Sequence, residues 1–193
     1  MTGTLNLRDG ASISISGSLE NTGQISVDNF SNDSGSSLSV VGTLTNMGNL
    51  GLGGTALTLP DTMTVGGLNN PGAISISGSA TDQATLTVNG SASNTGSLNI
   101  GTASALDVSG GNTYTQAAGT TAVTGTLSAP TIDVTGGTLQ GTGTVTGNVD
   151  DIGGTILAGT NTPGALTING NLLLGGTSVL QTLITGTASN QVG

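Results

Sequence analysis

The stretch Gly42-Thr-Leu44-Thr-Asn46-Met-Gly48-Asn-Leu50-Gly-Leu52 decides the fold, because the chain writes it four times. An earlier copy reads Gly17-Ser-Leu19-Glu-Asn21-Thr-Gly23-Gln-Ile25-Ser-Val27. Later copies read Gly66-Gly-Leu68-Asn-Asn70-Pro-Gly72-Ala-Ile74-Ser-Ile76 and Gly90-Ser-Ala92-Ser-Asn94-Thr-Gly96-Ser-Leu98-Asn-Ile100. Asn21, Asn46, Asn70 and Asn94 follow one another at 25, 24 and 24 residues. The apolar positions Ile13, Leu38, Met63 and Leu86 keep nearly the same beat. A fixed period of this length marks a stack of structural units.

Within each unit the apolar residues come as doublets around one polar residue, as in Ile25-Ser-Val27, Leu38-Ser-Val40, Ile74-Ser-Ile76 and Leu86-Thr-Val88. Alternation with period two is the signature of a strand with one buried face. Thr is abundant, Lys is absent, and no helical stripe appears, so the chain reads as all-β. Two or three short strands per 24–25 residues fit one turn of a parallel β-helix, in which each strand pairs with its equivalent about 4.8 Å away. The outer residues of each doublet then point inward, while Ser14, Ser39, Thr64 and Thr87 point out. Asn21, Asn46, Asn70 and Asn94 are expected to stack as a structural ladder, amide on amide along the axis. Gly is expected where the chain bends sharply. The 193 residues allow about eight turns and a rod roughly 35–40 Å long. From about residue 101 the beat loosens, yet no linker interrupts it, so residues 1–193 read as one continuous solenoid, regular over 1–100 and less regular over 101–193.

Composition narrows the function. One cation, Arg8, stands against ten carboxylates, for a net charge of −9. A nucleic-acid binder or a protein held on an anionic membrane needs a basic face, which one Arg cannot supply. No His or Cys is present to build a zinc, haem or iron–sulfur site. The longest aliphatic run, Leu172-Leu173-Leu174, is far too short to span a bilayer. Disorder, which a chain this rich in Gly, Ser and Thr could suggest, is countered by 46 Leu, Ile, Val and Phe residues set at strand spacing. The lack of cysteine fits an exported protein stabilised by repetition, and equally a reducing compartment. No basic region followed by an apolar stretch opens the sequence, so the chain reads as a segment or mature form.

Residues 136–176 carry a more specific pattern. They run Gly136-Gly-Thr-Leu139-Gln-Gly141-Thr-Gly143-Thr-Val145-Thr-Gly147-Asn-Val149, then Gly153-Gly-Thr-Ile156-Leu-Ala-Gly159, then Pro163-Gly164-Ala-Leu166-Thr-Ile168-Asn-Gly170-Asn-Leu172. This resembles the C-terminal stretch of autotransporter passenger domains and related bacterial surface β-helix proteins. The resemblance implies a right-handed parallel β-helix, extracellular or displayed on a bacterial surface, with a role in adhesion, aggregation or biofilm matrix. Neither the membrane barrel nor the export signal of such proteins is seen in the sequence, so the resemblance carries fold and location but no transport mechanism.

Candidate sites are few. Glycoside hydrolysis needs two carboxylates at a set separation. The one adjacent pair, Asp150-Asp151, is expected in a solvated turn before Gly153-Gly154. A Ser or Thr nucleophile needs an activating base, and there is no His or Lys to supply one. The chain therefore reads as a non-enzyme without cofactor; an enzyme acting on polysaccharide is a distant alternative. Calcium is the one metal the composition allows, but no Gly-Gly-x-Gly-x-Asp motif supports it. The oxygen-rich loop from Asp28 through Asp33 to Ser34 reads as a polar turn with Phe30 tucked onto the core. Asp107 and Asp133 are expected outward and near one another, and Tyr114 is expected to be packed or capping. Strands at Thr4–Leu7 and Val179–Ile184 leave unpaired edges at both ends of the stack, which template pairing with another chain. The expected function is presentation of a stiff Thr/Ser/Asn surface to a surface glycan or another cell-surface component. The alternative is self-association through the solenoid ends into an extracellular filament.

Overall fold

A computed structural model describes residues 1–30 and 34–183. The described chain is all strand and turn, wound into about eight turns. The first turn holds β1 (Thr4–Leu7), β2 (Ser12–Ile15) and β3 (Leu19–Asn21). The second holds β4 (Gln24–Val27) and the long β5 (Ser37–Asn46), and the third β6 (Asn49–Leu52) and β7 (Asp61–Asn70). Next come β8 (Ala73–Ile76), β9 (Ala84–Val88) and β10 (Ala92–Asn94), then β11 (Ser97–Ile100), β12 (Ser104–Val108) and β13 (Thr113–Gln116). The sixth turn is β14 (Thr120–Val123) and β15 (Thr126–Val134), and the seventh β16 (Thr138–Gly141) and β17 (Thr144–Asp151). The eighth holds β18 (Thr155–Ala158), β19 (Thr167–Asn169) and β20 (Leu172–Leu174), with β21 (Val179–Thr182) beginning another.

Every strand-to-strand register is parallel, as stacking of equivalent positions requires. One sheet of nine strands runs β1-β4-β6-β8-β11-β14-β16-β18-β21 and forms the first face. The remaining strands form a twelve-stranded sheet. It bends where β5, β7, β15 and β17 turn a corner, so it supplies a second and a third face. The register shifts between Val40 and Thr43 and between Ser128 and Thr131 mark that bend.

Alternation places the apolar doublets in the lumen. Leu38, Met63, Leu86, Leu106 and Leu127 stack in one fully buried column of the second face, and Val27, Leu52, Ile76, Ile100 and Val123 in one of the first. Each such side chain contributes about 1.5–3 kcal/mol by leaving water, and only the neighbouring turns make that burial available. Ile13 shows the consequence at one end of the stack. It occupies the same column as Leu38 but is 37 % exposed, because a turn covers it on one side only.

The Asn ladder runs along the third-face corner. Asn21 Nδ2 donates to Asn46 Oδ1 at 2.7 Å, Asn46 Nδ2 to Asn70 Oδ1 at 2.8 Å, and Asn70 Nδ2 to Asn94 Oδ1 at 2.7 Å. Each amide also donates to a carbonyl of the same or the next turn, at Asn49, Ala73 and Ser97. The ladder continues one rung beyond the repeat, since Asn94 Nδ2 donates to Gln116 Oε1 at 3.0 Å. The next position in register is Val134, 18 residues on, and then Asp151, 17 further. These shortened turns are the loosening beat of the second half.

Tyr114 is fully buried beside the fifth rung, its hydroxyl bonded to Thr121 and Gln116. Thr121 takes an inward position that Leu98 and Leu139 fill on the adjacent turns, and its hydroxyl is satisfied only by this cluster. Burial raises the Tyr114 phenol well above its ordinary value, so it stays protonated. Tyr114→Phe is expected to lower stability by about 1–2 kcal/mol, read from urea melting, while Thr115→Ala on the outward side of the same strand changes little.

Candidate functional site

The second face presents an ordered array of hydroxyls. One outward column reads Ser12, Ser37, Thr62, Thr85, Ala105, Thr126, Thr144 and Thr167. Its neighbour reads Ser14, Ser39, Thr64, Thr87, Asp107, Ser128, Thr146 and Asn169. Ala105, Asp107 and Asn169 are the only positions without a hydroxyl. Parallel pairing sets the rows about 4.8 Å apart, and alternation sets the columns about 6.6 Å apart. The array exists because Thr suits the exposed side of a strand whose other side is aliphatic. Ser37 Oγ donates to Ser12 Oγ at 2.8 Å, a hydroxyl–hydroxyl bond between adjacent rows of the first column.

The carboxylates fall differently from their sequence reading. Asp150 and Asp151 do not lie in a solvated turn; they are the last two residues of β17. As strand neighbours they point to opposite faces. Asp151 is fully buried at the ladder position, where Oδ1 accepts the N–H of Gly154 at 2.8 Å and of Gly153 at 3.3 Å. Its carboxylate thereby caps the sharp turn that follows. Asp107 and Asp133 are not neighbours either. Asp107 sits between Thr87 and Ser128 on the second face, whereas Asp133 sits between Thr115 and Asp150 on the third, because β15 turns the corner between Ser128 and Thr131. Burial first, and the nearby Asp150 charge second, push the Asp133 carboxyl above its ordinary value. The register thus brings two carboxylates, Asp133 and Asp150, side by side on an outward face, a pairing the sequence reading missed.

Phe30 is not tucked onto the core. It is 41 % exposed, with the Arg8 guanidinium 4.7 Å from its ring centroid, a cation–π contact. It borders an open hollow of about 430 Å³ lined by Asn29, Phe30, Gly54, Thr55, Ala56 and Ser77. Asn29 lies over Gly51, where any Cβ would collide with its amide. Of the loop considered for calcium, Asp28 is fully buried and accepts backbone N–H groups, while Asp33 lies outside the described residues. Among the described residues no group of three or more carboxylates is placed to hold a metal ion.

The arrangement as a whole is an inner core of apolar and amide columns that holds an outer hydroxyl array in register. No helix among the described residues is long and apolar enough to cross a membrane. Compared with protein-family models, curated proteins and solved structures, the chain matches none of them.

Proposed function

We propose that this chain is a structural, interaction-type β-solenoid of a secreted or surface-displayed bacterial protein, acting in adhesion, aggregation or biofilm matrix. The observation that carries this reading is the pair of hydroxyl columns on the second face, nearly free of charge over eight turns. Such a face offers many weak, regularly spaced hydrogen bonds, which suits a repetitive partner such as a neutral surface glycan better than a small molecule. The autotransporter-like pattern of residues 136–176 supports the location. The test is retention of the purified protein by bacterial cells and by insoluble neutral polysaccharide, with the double variant Thr64→Lys, Thr87→Lys as comparison. Both positions point outward, so the variant is expected to stay within about 0.5–1 kcal/mol of the parent in stability while its retention falls at least about tenfold, a binding loss near 1.4 kcal/mol. Equal retention of parent and variant would sink the role of this face.

A second reading is end-to-end assembly into an extracellular filament. It is favoured by the last described turns, which leave Leu172, Leu173, Leu174, Val179 and Leu180 exposed. The equivalents of Leu172, Leu174 and Leu180 one turn earlier, Val149, Asp151 and Ile156, are buried beneath the next strand, and a further turn from another copy would cover these three in the same way. Electron microscopy across a concentration series is expected to show fibres with an axial repeat near 4.8 Å; short rods at every concentration would rule the filament out.

A further inference from the structure

Two buried carboxyls meet at the corner between the first and second faces. Asp28 follows β4 and Asp61 opens β7, and both are fully buried. One backbone group touches both: Ser36 N–H donates to Asp28 Oδ2 at 2.7 Å and to Asp61 Oδ1 at 3.2 Å. Gly35 N–H also donates to Asp61 Oδ1, at 2.7 Å, and Asp9 N–H donates to Asp28 Oδ1 at 3.1 Å. Three of the four carboxylate oxygens are therefore satisfied by backbone. The fourth, Asp61 Oδ2, is buried with no hydrogen-bond partner.

Two like charges this close in a buried corner do not both persist. A bare carboxylate oxygen left without a partner is also costly. A single proton on that oxygen removes both faults. We infer that Asp61 Oδ2 stays protonated from acidic pH up to near neutrality and donates that proton to Asp28, making this corner a one-proton lock across the first three turns. The residues it ties are Asp9 from the first turn, Asp28, Gly35 and Ser36 from the second, and Asp61 from the third. Ser36 extends the tie, since its hydroxyl accepts the N–H of Ala11 at 3.1 Å. Asp9 and Asp28 both hold positive φ, 54° and 47°, a conformation that Asp tolerates better than most residues.

The titration behaviour agrees with the geometry. Burial first, then the hydrogen bond and the charge of Asp28, push Asp61 up to about 7, against the downward pull of the Gly35 and Ser36 N–H groups. Among the described residues, the charged groups nearest in sequence on the adjoining elements are Arg8, stacked on Phe30, Asp9, whose N–H is used here, and Asp82, which accepts from Thr81 Oγ1. A raised carboxyl means that the folded state holds a proton the unfolded chain has already lost. Its stabilisation is complete below the unfolded value of 3.8 and is lost as pH rises toward about 7, with no further change from this group above that.

The direct test is a carbon-13 NMR titration of the Asp61 carboxyl in the intact protein, where a midpoint near 7 is expected. Asp61→Asn supplies the second arm, because an amide donates to Asp28 and accepts from Gly35 and Ser36 as the protonated acid does. The ratio of unfolding constants, wild type over Asp61→Asn, is expected to rise about tenfold per pH unit between about pH 4 and pH 7 and then level off. A carboxyl midpoint at the ordinary carboxylate value would overturn the inference. So would a ratio of unfolding constants that stays constant between about pH 4 and pH 7, since the folded state would then hold no extra proton at Asp61.

Discussion

Asn70→Ala is expected to destabilise the stack by about 3 kcal/mol, a fall in melting temperature of roughly 6–12 °C for a chain of this size. The argument is a count of orphaned groups. Asn70 Oδ1 accepts from Asn46 at 2.8 Å, and its amide donates to Asn94 Oδ1 at 2.7 Å and to Ser97 O at 3.1 Å. Truncation leaves Asn94 Oδ1 buried without its donor and opens a void between turns. An unsatisfied buried polar atom costs about 1–3 kcal/mol, and the void adds to it. The Asn46 amide loses less, because the carbonyls of Ala73 and Gly48 still accept from it. Asn171→Ala is the matched control. It also breaks an amide–amide bond between turns, Asn171 Nδ2 to Asn148 Oδ1 at 3.0 Å, but both residues are exposed and water replaces the partner. That variant is expected to cost under about 1 kcal/mol. Equal losses in urea melts of the two variants would show that burial is not what gives the ladder its strength.

The ladder also shows what was legible in the sequence and what was not. Four rungs were readable because the same amide recurs at a nearly constant interval with the same Gly two residues later. Gln116 was hidden because the fifth rung uses a longer side chain and comes after 22 residues. Beyond it the turns lose six or seven residues, and Val134 and Asp151 take positions where no amide marks the register. Parallel stacking tolerates this because only the strands must align, while corner lengths are free to vary. Asp28 and Asp61 were missed for a different reason. Asp28 was read only as part of a polar turn and Asp61 drew no reading, and their meeting depends on which turns lie one above the other. A signal existed for Asp61 alone: it precedes the inward Met63 and Val65 by two and four residues, so period two places it inside. Phe30 was read inward on hydrophobicity, but the aliphatic columns already fill the lumen there, and the ring packs outside with Arg8 instead.

Gly72→Ala is expected to be more damaging than any change to the ladder, about 4 kcal/mol, although it adds a single methyl group. At this corner the backbone of each turn rests directly on the one before it. A Cβ on Gly72 would lie 2.3 Å from Gly48 O and 2.7 Å from the Met47 carbonyl carbon. Gly48 stands in the same relation to Gly23 O at 2.2 Å, and Gly96 to Gly72 O at 2.1 Å, so these glycines form a column of their own beside the Asn ladder. The obstructing atoms are backbone, and no side chain can rotate away to make room. The turns must separate locally, which lengthens Gly72 N–H to Asn46 O, now 2.8 Å, and Ala73 N–H to Gly48 O, now 2.9 Å. Those two bonds flank the point where Asn46 hands its amide to Asn70, so the ladder is strained by the same movement. Gly17→Ala provides the comparison, since nothing lies within 4 Å of a Cβ there and its φ is unexceptional. It is expected to be neutral, or slightly stabilising through the less flexible unfolded chain. The two variants differ only in whether a turn lies against the added methyl. A Gly72→Ala protein that melts with wild type would mean that the turns are not in backbone contact at this corner.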